Sequence, residues 1–135
     1  MGQIFANIQL RNPSDESLDC LHIDALVDTG CMYLCIPEHV ALQLKLKKHD
    51  SKEVSIADGT VKSVPYVGPV KINYLNRICL VGAIVMGDIV LLGAIPIEDM
   101  DLVINPAQMK LTVNPANPNI ATSIVPYIRV IGKPV

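Results

Sequence analysis

Asp28 is the residue with the clearest potential for chemistry. Ala25, Leu26 and Val27 form an apolar run that delivers it directly into Thr29 and Gly30. A carboxyl at the end of an apolar strand is poorly solvated, so its charge costs energy unless backbone N–H groups or a partner stabilise it. Gly30 lets the backbone pass close to neighbouring atoms. The Thr29 hydroxyl can bond a neighbouring chain and fix the turn. Such a carboxyl can share a proton with a second one and activate a water between them. The other titratable residues offer less. Cys31, Cys35 and His39 fall at i, i+4 and i+8, a spacing that would suit zinc on one helix face. Gly30 and Pro37 interrupt any such helix and no fourth ligand is near, so no metal site is expected. His22, His39 and His49 sit in polar settings, and no Ser–His–Asp or Cys–His arrangement is laid out.

An Asp so placed needs a sheet to hold it. Residues 4–10 predict a strand, residues 12–17 a polar turn, and residues 18–27 the return strand, with Leu21, Ile23 and Ala25 on one face. Residues 34–36 are a short apolar run, and a helix is expected from Pro37 to about Leu44. Residues 45–52 read as a charged surface loop. Residues 54–67 predict a hairpin turning at Asp58-Gly59, a strong hairpin pair between β-branched runs. A second hairpin is expected over residues 70–74 and 78–85, with Gly68-Pro69 as the break before it. Residues 89–92 predict an apolar strand stopped by Gly93, residues 96–102 a short helix, and residues 103–104 and 110–113 short strands. These elements divide the chain into a domain over residues 1–115 and a C-terminal tail over residues 116–135.

Composition narrows the function. The chain has 135 residues, 50% of them apolar and 18% charged, enough to bury one domain's core. A net charge of −2 leaves no basic footprint for a phosphate backbone. One Phe, four Tyr and no Trp are too few for a base-stacking platform, so no nucleic-acid partner is expected. Residues 78–97 carry a single charge, Asp88, and are long enough to cross a bilayer. Asp88 would then cost roughly 2.5–3.5 kcal/mol at mid-span, and Gly87-Asp88 is a turn signal. Two buried strands are expected there, with no membrane partner. No secretory signal is visible, and Ala6 breaks the myristoylation pattern of Gly2. The four Cys lack Cys-x-x-Cys spacing and are expected as reduced thiols of a cytoplasmic protein.

Asp28-Thr29-Gly30, preceded by Ala25-Leu26-Val27, resembles the signature of retropepsin-like aspartic proteases, the single-domain retroviral type and its bacterial relatives. The resemblance extends over residues 4–113. The hairpin turning at Asp58-Gly59 stands where retropepsins carry a flap. Leu91-Leu92-Gly93 and the helix after it match their second apolar-apolar-Gly strand end. The resemblance implies an all-β fold, a small closed barrel with a flap hairpin and one or two short helices. It implies that Asp28 is the catalytic acid/base, that Thr29 grips a second copy of the turn, and that Gly30 bonds the substrate backbone. Ala57, Asp58 and Gly59 would lie at the substrate-binding flap tip, and Ile89 and Leu91 would line apolar substrate pockets. Two departures stand out. Cys31 follows the signature where the family usually has Ala or Ser, and a thiol there could alter the pocket or make activity sensitive to oxidation. The flap turn holds one Gly where retroviral flaps are Gly-rich.

The mechanism so implied needs two Asp residues. Asp24 and Asp88 lack the Thr-Gly that follows Asp28. Two copies of the chain must each supply one Asp28 across a two-fold axis, giving a homodimer with its site at the interface. Residues 120–131 can add strands to that interface, as retropepsin termini do. The expected activity is hydrolysis of a peptide or protein substrate without cofactor or metal. The alternative is a non-catalytic module that binds extended peptide on the same scaffold by strand addition. A third possibility is a protease domain released from, or acting on, a larger precursor.

Overall fold

Alternation along the first strand sets the architecture. The computed structural model describes residues 2–127. In β1 (Phe5–Arg11), Ala6, Ile8 and Leu10 are buried while Phe5, Asn7 and Gln9 face outward, the period-two pattern of a strand with one dry face. It pairs antiparallel with β2 (Leu21–Val27), Ile8 opposite Ile23 and Ala6 opposite Ala25. β3 (Leu34–Ile36) is buried throughout and leads into α1 (Glu38–Gln43), whose N-cap is Pro37. β4 (Lys47–Ser55) and β5 (Val61–Tyr74) make a long hairpin, and β6 (Arg77–Val85) returns antiparallel to β5. β7 (Leu91–Leu92) runs parallel to β2 and antiparallel to β3, while β3 runs parallel to β6. After α2 (Ala94–Asp99), β8 (Leu102–Asn105) and β9 (Lys110–Val113) form a separate two-stranded sheet.

The seven-stranded sheet runs β1-β2-β7-β3-β6-β5-β4, and β1 also pairs β5, so six of its strands join in a ring. Ile8, Leu10, Leu34, Ile72, Leu92 and Met100 fill the interior. The all-β architecture with two short helices is the one expected. Among the described residues no helix is long and apolar enough to cross a membrane. Residues 78–97 supply β6, a turn at Gly87-Asp88, β7 and the start of α2.

Several expected boundaries move. Residues 47–52, expected as a loop, belong to β4. That stretch has no apolar face to mark it as a strand. It is held by its ladder to β5, from Lys47 opposite Gly68 to Ser55 opposite Val61. Gly68-Pro69 does not end a strand. β5 continues through it, and the register to β6 shifts between Val67 and Val70. β2 starts at Leu21 rather than at residue 18. The second helix starts at Ala94, two residues before the Pro96 taken as its start signal.

Residues 117–122 are tied to the body. Buried Arg77 donates from Nε to the Met100 carbonyl at 2.8 Å and from Nη2 to the Asn117 carbonyl at 2.5 Å. Asn76 donates to the Pro118 carbonyl at 2.9 Å. The Asp101 carboxylate accepts from Asn114, Asn117 and the Thr122 backbone N–H, and these bonds hold its carboxyl below the ordinary range. Residues 120–127 are exposed and form no strand among the described residues. Residues 128–131 of the expected interface strand lie outside them.

Candidate active site

β2 ends at Val27, beside Leu92 of β7. The next residue, Asp28, donates its backbone N–H to the Leu92 carbonyl at 3.0 Å. The chain then turns sharply: the Cys31 N–H reaches the Asp28 carbonyl at 3.1 Å, and the Gly30 N–H donates to Asp28 Oδ1 at 3.0 Å. A Cβ on Gly30 would stand 3.1 Å from that same carboxylate oxygen, close enough to displace the carboxyl slightly. The α2 end closes on the turn from the other side. The Ala94 and Ile95 N–H groups donate to the Cys31 and Met32 carbonyls at 2.8 and 2.9 Å. Backbone bonds thus hold the turn to β7 and α2, and the Gly30 N–H holds the carboxyl itself.

Asp28 lies on a groove of about 740 Å³ whose walls include Gly30, Tyr33, Val54, Ile84, Met86 and Leu91. The tip of the β4–β5 hairpin covers this groove with Ile56 and Ala57. Asp28 is half-buried. Thr29 is exposed and points the chain away from the groove, into a second depression of about 350 Å³ shared with Gly2, Gln3 and Ile104. Of the residues singled out in the sequence, Asp28, Gly30, Ala57 and Leu91 meet at the groove. Asp58 and Gly59 lie outside its lining and build the hairpin turn. Ile89 also lies outside it, on a separate depression with Asp24, His39 and Asp88. His39 is thereby apart from the Cys31–Cys35 pair.

The hairpin tip is closed by its own side chains. The Gly59 N–H bonds the Ile56 carbonyl at 2.9 Å, with Gly59 at φ +87°. Asp58 Oδ1 accepts from the Thr60 hydroxyl at 2.6 Å and from the Thr60 N–H at 2.9 Å. The hydroxyl bond first, and the backbone bond second, hold the Asp58 carboxyl below its ordinary 3.8. A depressed carboxyl contributes order above its unfolded value and loses it as pH falls through the folded one. The turn is therefore expected to loosen as pH falls below the ordinary carboxylate value. In Thr60→Val, the Asp58 titration midpoint followed by NMR should rise toward 3.8; an unmoved midpoint would remove the hydroxyl as the cause. Lower on the same hairpin, the Lys52 ammonium stands 4.8 Å over the Tyr66 ring and 5.7 Å over the Tyr33 ring, joining the hairpin stem to the body.

The groove floor holds two thiols. Cys31 Sγ and Cys35 Sγ are 3.2 Å apart. Burial, then the hydrogen bond and charge of Cys31, then the charge of Asp28, push the Cys35 thiol up to about 12. Met32, Tyr33, Val54, Ile56, Ile84 and Met86 line the groove without having been singled out in the sequence. Val54 and Ile84 sit on strands whose alternation offered a signal. Met32 and Met86 lie in connections, where no periodicity points inward or outward.

The fold and this groove together define a retropepsin-like scaffold. Among solved structures, the chain is similar to the retroviral protease-like domain of Ddi1 from Leishmania major, with a TM-score of 0.51 at 12% identity over 83% of this chain and 90% of that one. At that identity the likeness concerns the fold, and the bacterial kinship expected from the signature finds no support in it. No family model matches the chain. No curated protein matches it either.

Proposed function

We propose that this chain is an aspartic endopeptidase that acts as a homodimer, hydrolysing peptide bonds with water activated between two Asp28 carboxyls. One observation carries the reading: on a retropepsin-like fold, Asp28 stands in an apolar groove roofed by a hairpin tip. One carboxyl takes the proton of the attacking water while the other protonates the leaving amide, so a single Asp28 is half of the machinery. A second copy supplies the other half and seals a carboxyl that one protomer leaves half-open. The exposed Thr29 hydroxyl then faces the partner's turn. Because the Gly30 N–H is engaged by Asp28, Gly30 offers its carbonyl to the substrate backbone. Ile56 and Ala57 close over an extended chain. Asp58 and Gly59 shape the turn that carries them. The apolar walls at Val54, Ile84 and Leu91 favour hydrophobic side chains beside the scissile bond.

The test is cleavage of a diverse peptide library at several pH values, with and without a pepstatin-type inhibitor, alongside sedimentation of the protein. Cleavage between hydrophobic residues is expected, blocked by the inhibitor, with specific activity rising as protein concentration drives dimerisation. A dimer that binds extended peptides and leaves them uncut would replace this reading with a binding module.

A further inference from the structure

Two nucleophilic side chains in the groove have no part in water activation. Cys31 follows the Asp28 turn directly and is half-buried in the groove wall. Cys35 lies on β3 and is 2% exposed. Their sulfurs stand 3.2 Å apart, while a disulfide needs roughly 2.05 Å, so about 1 Å of closure joins them. The other two thiols have different surroundings. Cys20 lies 3.7 Å from His22 Nε2 in an exposed contact just before β2, and Cys79 is buried beside Asp99.

We propose that Cys31 and Cys35 are an oxidative modification site, a dithiol that a peroxide converts to an intrachain disulfide across the groove floor. Cys31, the sulfur that solvent reaches, attacks first. Its thiolate displaces hydroxide from the peroxide O–O bond and becomes the sulfenic acid. The Cys35 thiol then attacks the Cys31 sulfur, the S–O bond breaks, and the hydroxide that leaves takes the Cys35 proton as water. The peroxide is reduced and two thiols are oxidised, with no other reactant. A disulfide closing so short a loop acts through position more than through chain entropy. Its ends are well placed for that. The Cys31 backbone is bonded to Asp28 on one side and to Ala94 on the other, and Cys35 is fixed between β6 and β7. Drawing the sulfurs together therefore pulls the Asp28 turn toward β3. The bond itself does not depend on the peptidase reading. Its effect on cleavage does.

The experiment treats the folded protein, in a Cys20→Ser background, with hydrogen peroxide and reads intact mass. The expected product is lighter by two hydrogens. Chymotryptic cleavage after Tyr33 leaves its two halves joined, and dithiothreitol separates them. In Cys35→Ser no cross-link forms, and Cys31 proceeds to sulfinic acid that dithiothreitol does not reverse. Sulfinic acid at Cys31 in the parent protein without a cross-link would overturn the proposal, as would a bond joining two chains. Cleavage is measured for each variant against its own reduced form. Oxidation of the parent is expected to cost on the order of 100-fold, the effect of about 1 Å at a reacting centre, and dithiothreitol should restore it. A reduced parent that forms the cross-link but never cleaves peptide would remove the peptidase and leave the site standing. Full cleavage with no cross-link would do the reverse.

Discussion

Asp28→Asn abolishes peptide cleavage and leaves the folded protein in place. The amide has nearly the shape of the carboxyl, and its oxygen still accepts the Gly30 N–H that now reaches Asp28 Oδ1 at 3.0 Å. The turn keeps its backbone bonds to Leu92 and Cys31, since neither uses the side chain. What the amide cannot do is take a proton from water. A positioned general base or acid contributes roughly 10²–10⁴-fold, and in a homodimer the substitution removes both at once. Cleavage should therefore fall by at least that factor, while the urea midpoint and the sedimentation coefficient stay near those of the parent. Undiminished cleavage would falsify the catalytic role of Asp28.

The same substitution tests whether the site is shared. After subunit exchange, a one-to-one mixture of native and Asp28→Asn chains should keep roughly a quarter of the native activity, because only dimers of two native copies hold two carboxyls. A site complete within one chain would keep about half. The mixing curve thus separates a shared centre from an independent one without any structure of the dimer. Asp28 is half-buried in the single chain; under the proposed dimer, the dry, paired environment that tunes such acids would come from the second copy.

Much of this arrangement was legible in the sequence, for identifiable reasons. The β1–β2 pair shows in the alternation of Ala6, Ile8 and Leu10 against Asn7 and Gln9. The hairpin over the groove shows in Asp58-Gly59, whose positive-φ Gly is the residue such a turn requires. Residues 47–52 could not be read this way, because Lys-Lys-His-Asp-Ser-Lys has no dry face and takes its strand from a neighbour's ladder. Asp28 could be singled out by the apolar strand that delivers it into a turn, and Gly30, Ala57 and Leu91 through the resemblance to retropepsins. Ile89 was named through the same resemblance, and the bend over Gly87-Asp88-Ile89 places it on a separate depression beside Asp24 and His39. The contact of Cys31 with Cys35 was suggested only by a helical spacing. The structure achieves it with a turn followed by a strand.

Gly93→Ala should be the most damaging single-methyl change near the site. In the sequence Gly93 reads as the stop of an apolar strand, but backbone freedom is not what it provides. Its φ of −88° and ψ of −173° are open to any residue. What it provides is space. A Cβ there would lie within 2.5 Å of the Cys31 carbonyl oxygen and closer still to that of Tyr33, both backbone atoms that cannot swing aside. Relief requires α2 to draw away from the turn that follows Asp28. That movement stretches the Ala94 to Cys31 and Ile95 to Met32 hydrogen bonds, now 2.8 and 2.9 Å. Overpacking of this kind costs about 1–3 kcal/mol or more. The urea midpoint should drop accordingly at unchanged slope. Gly59→Ala is the informative companion, because nothing lies within 4 Å of a Cβ there and only its φ of +87° is strained. It should cost about 1–2 kcal/mol, with the loss confined to the hairpin tip. In Gly93→Ala, amide exchange should quicken at Ala94 and Ile95, the two donors that hold the Asp28 turn to α2. Unchanged protection at both, together with an unchanged midpoint, would mean that the close approach of α2 is not what positions Asp28.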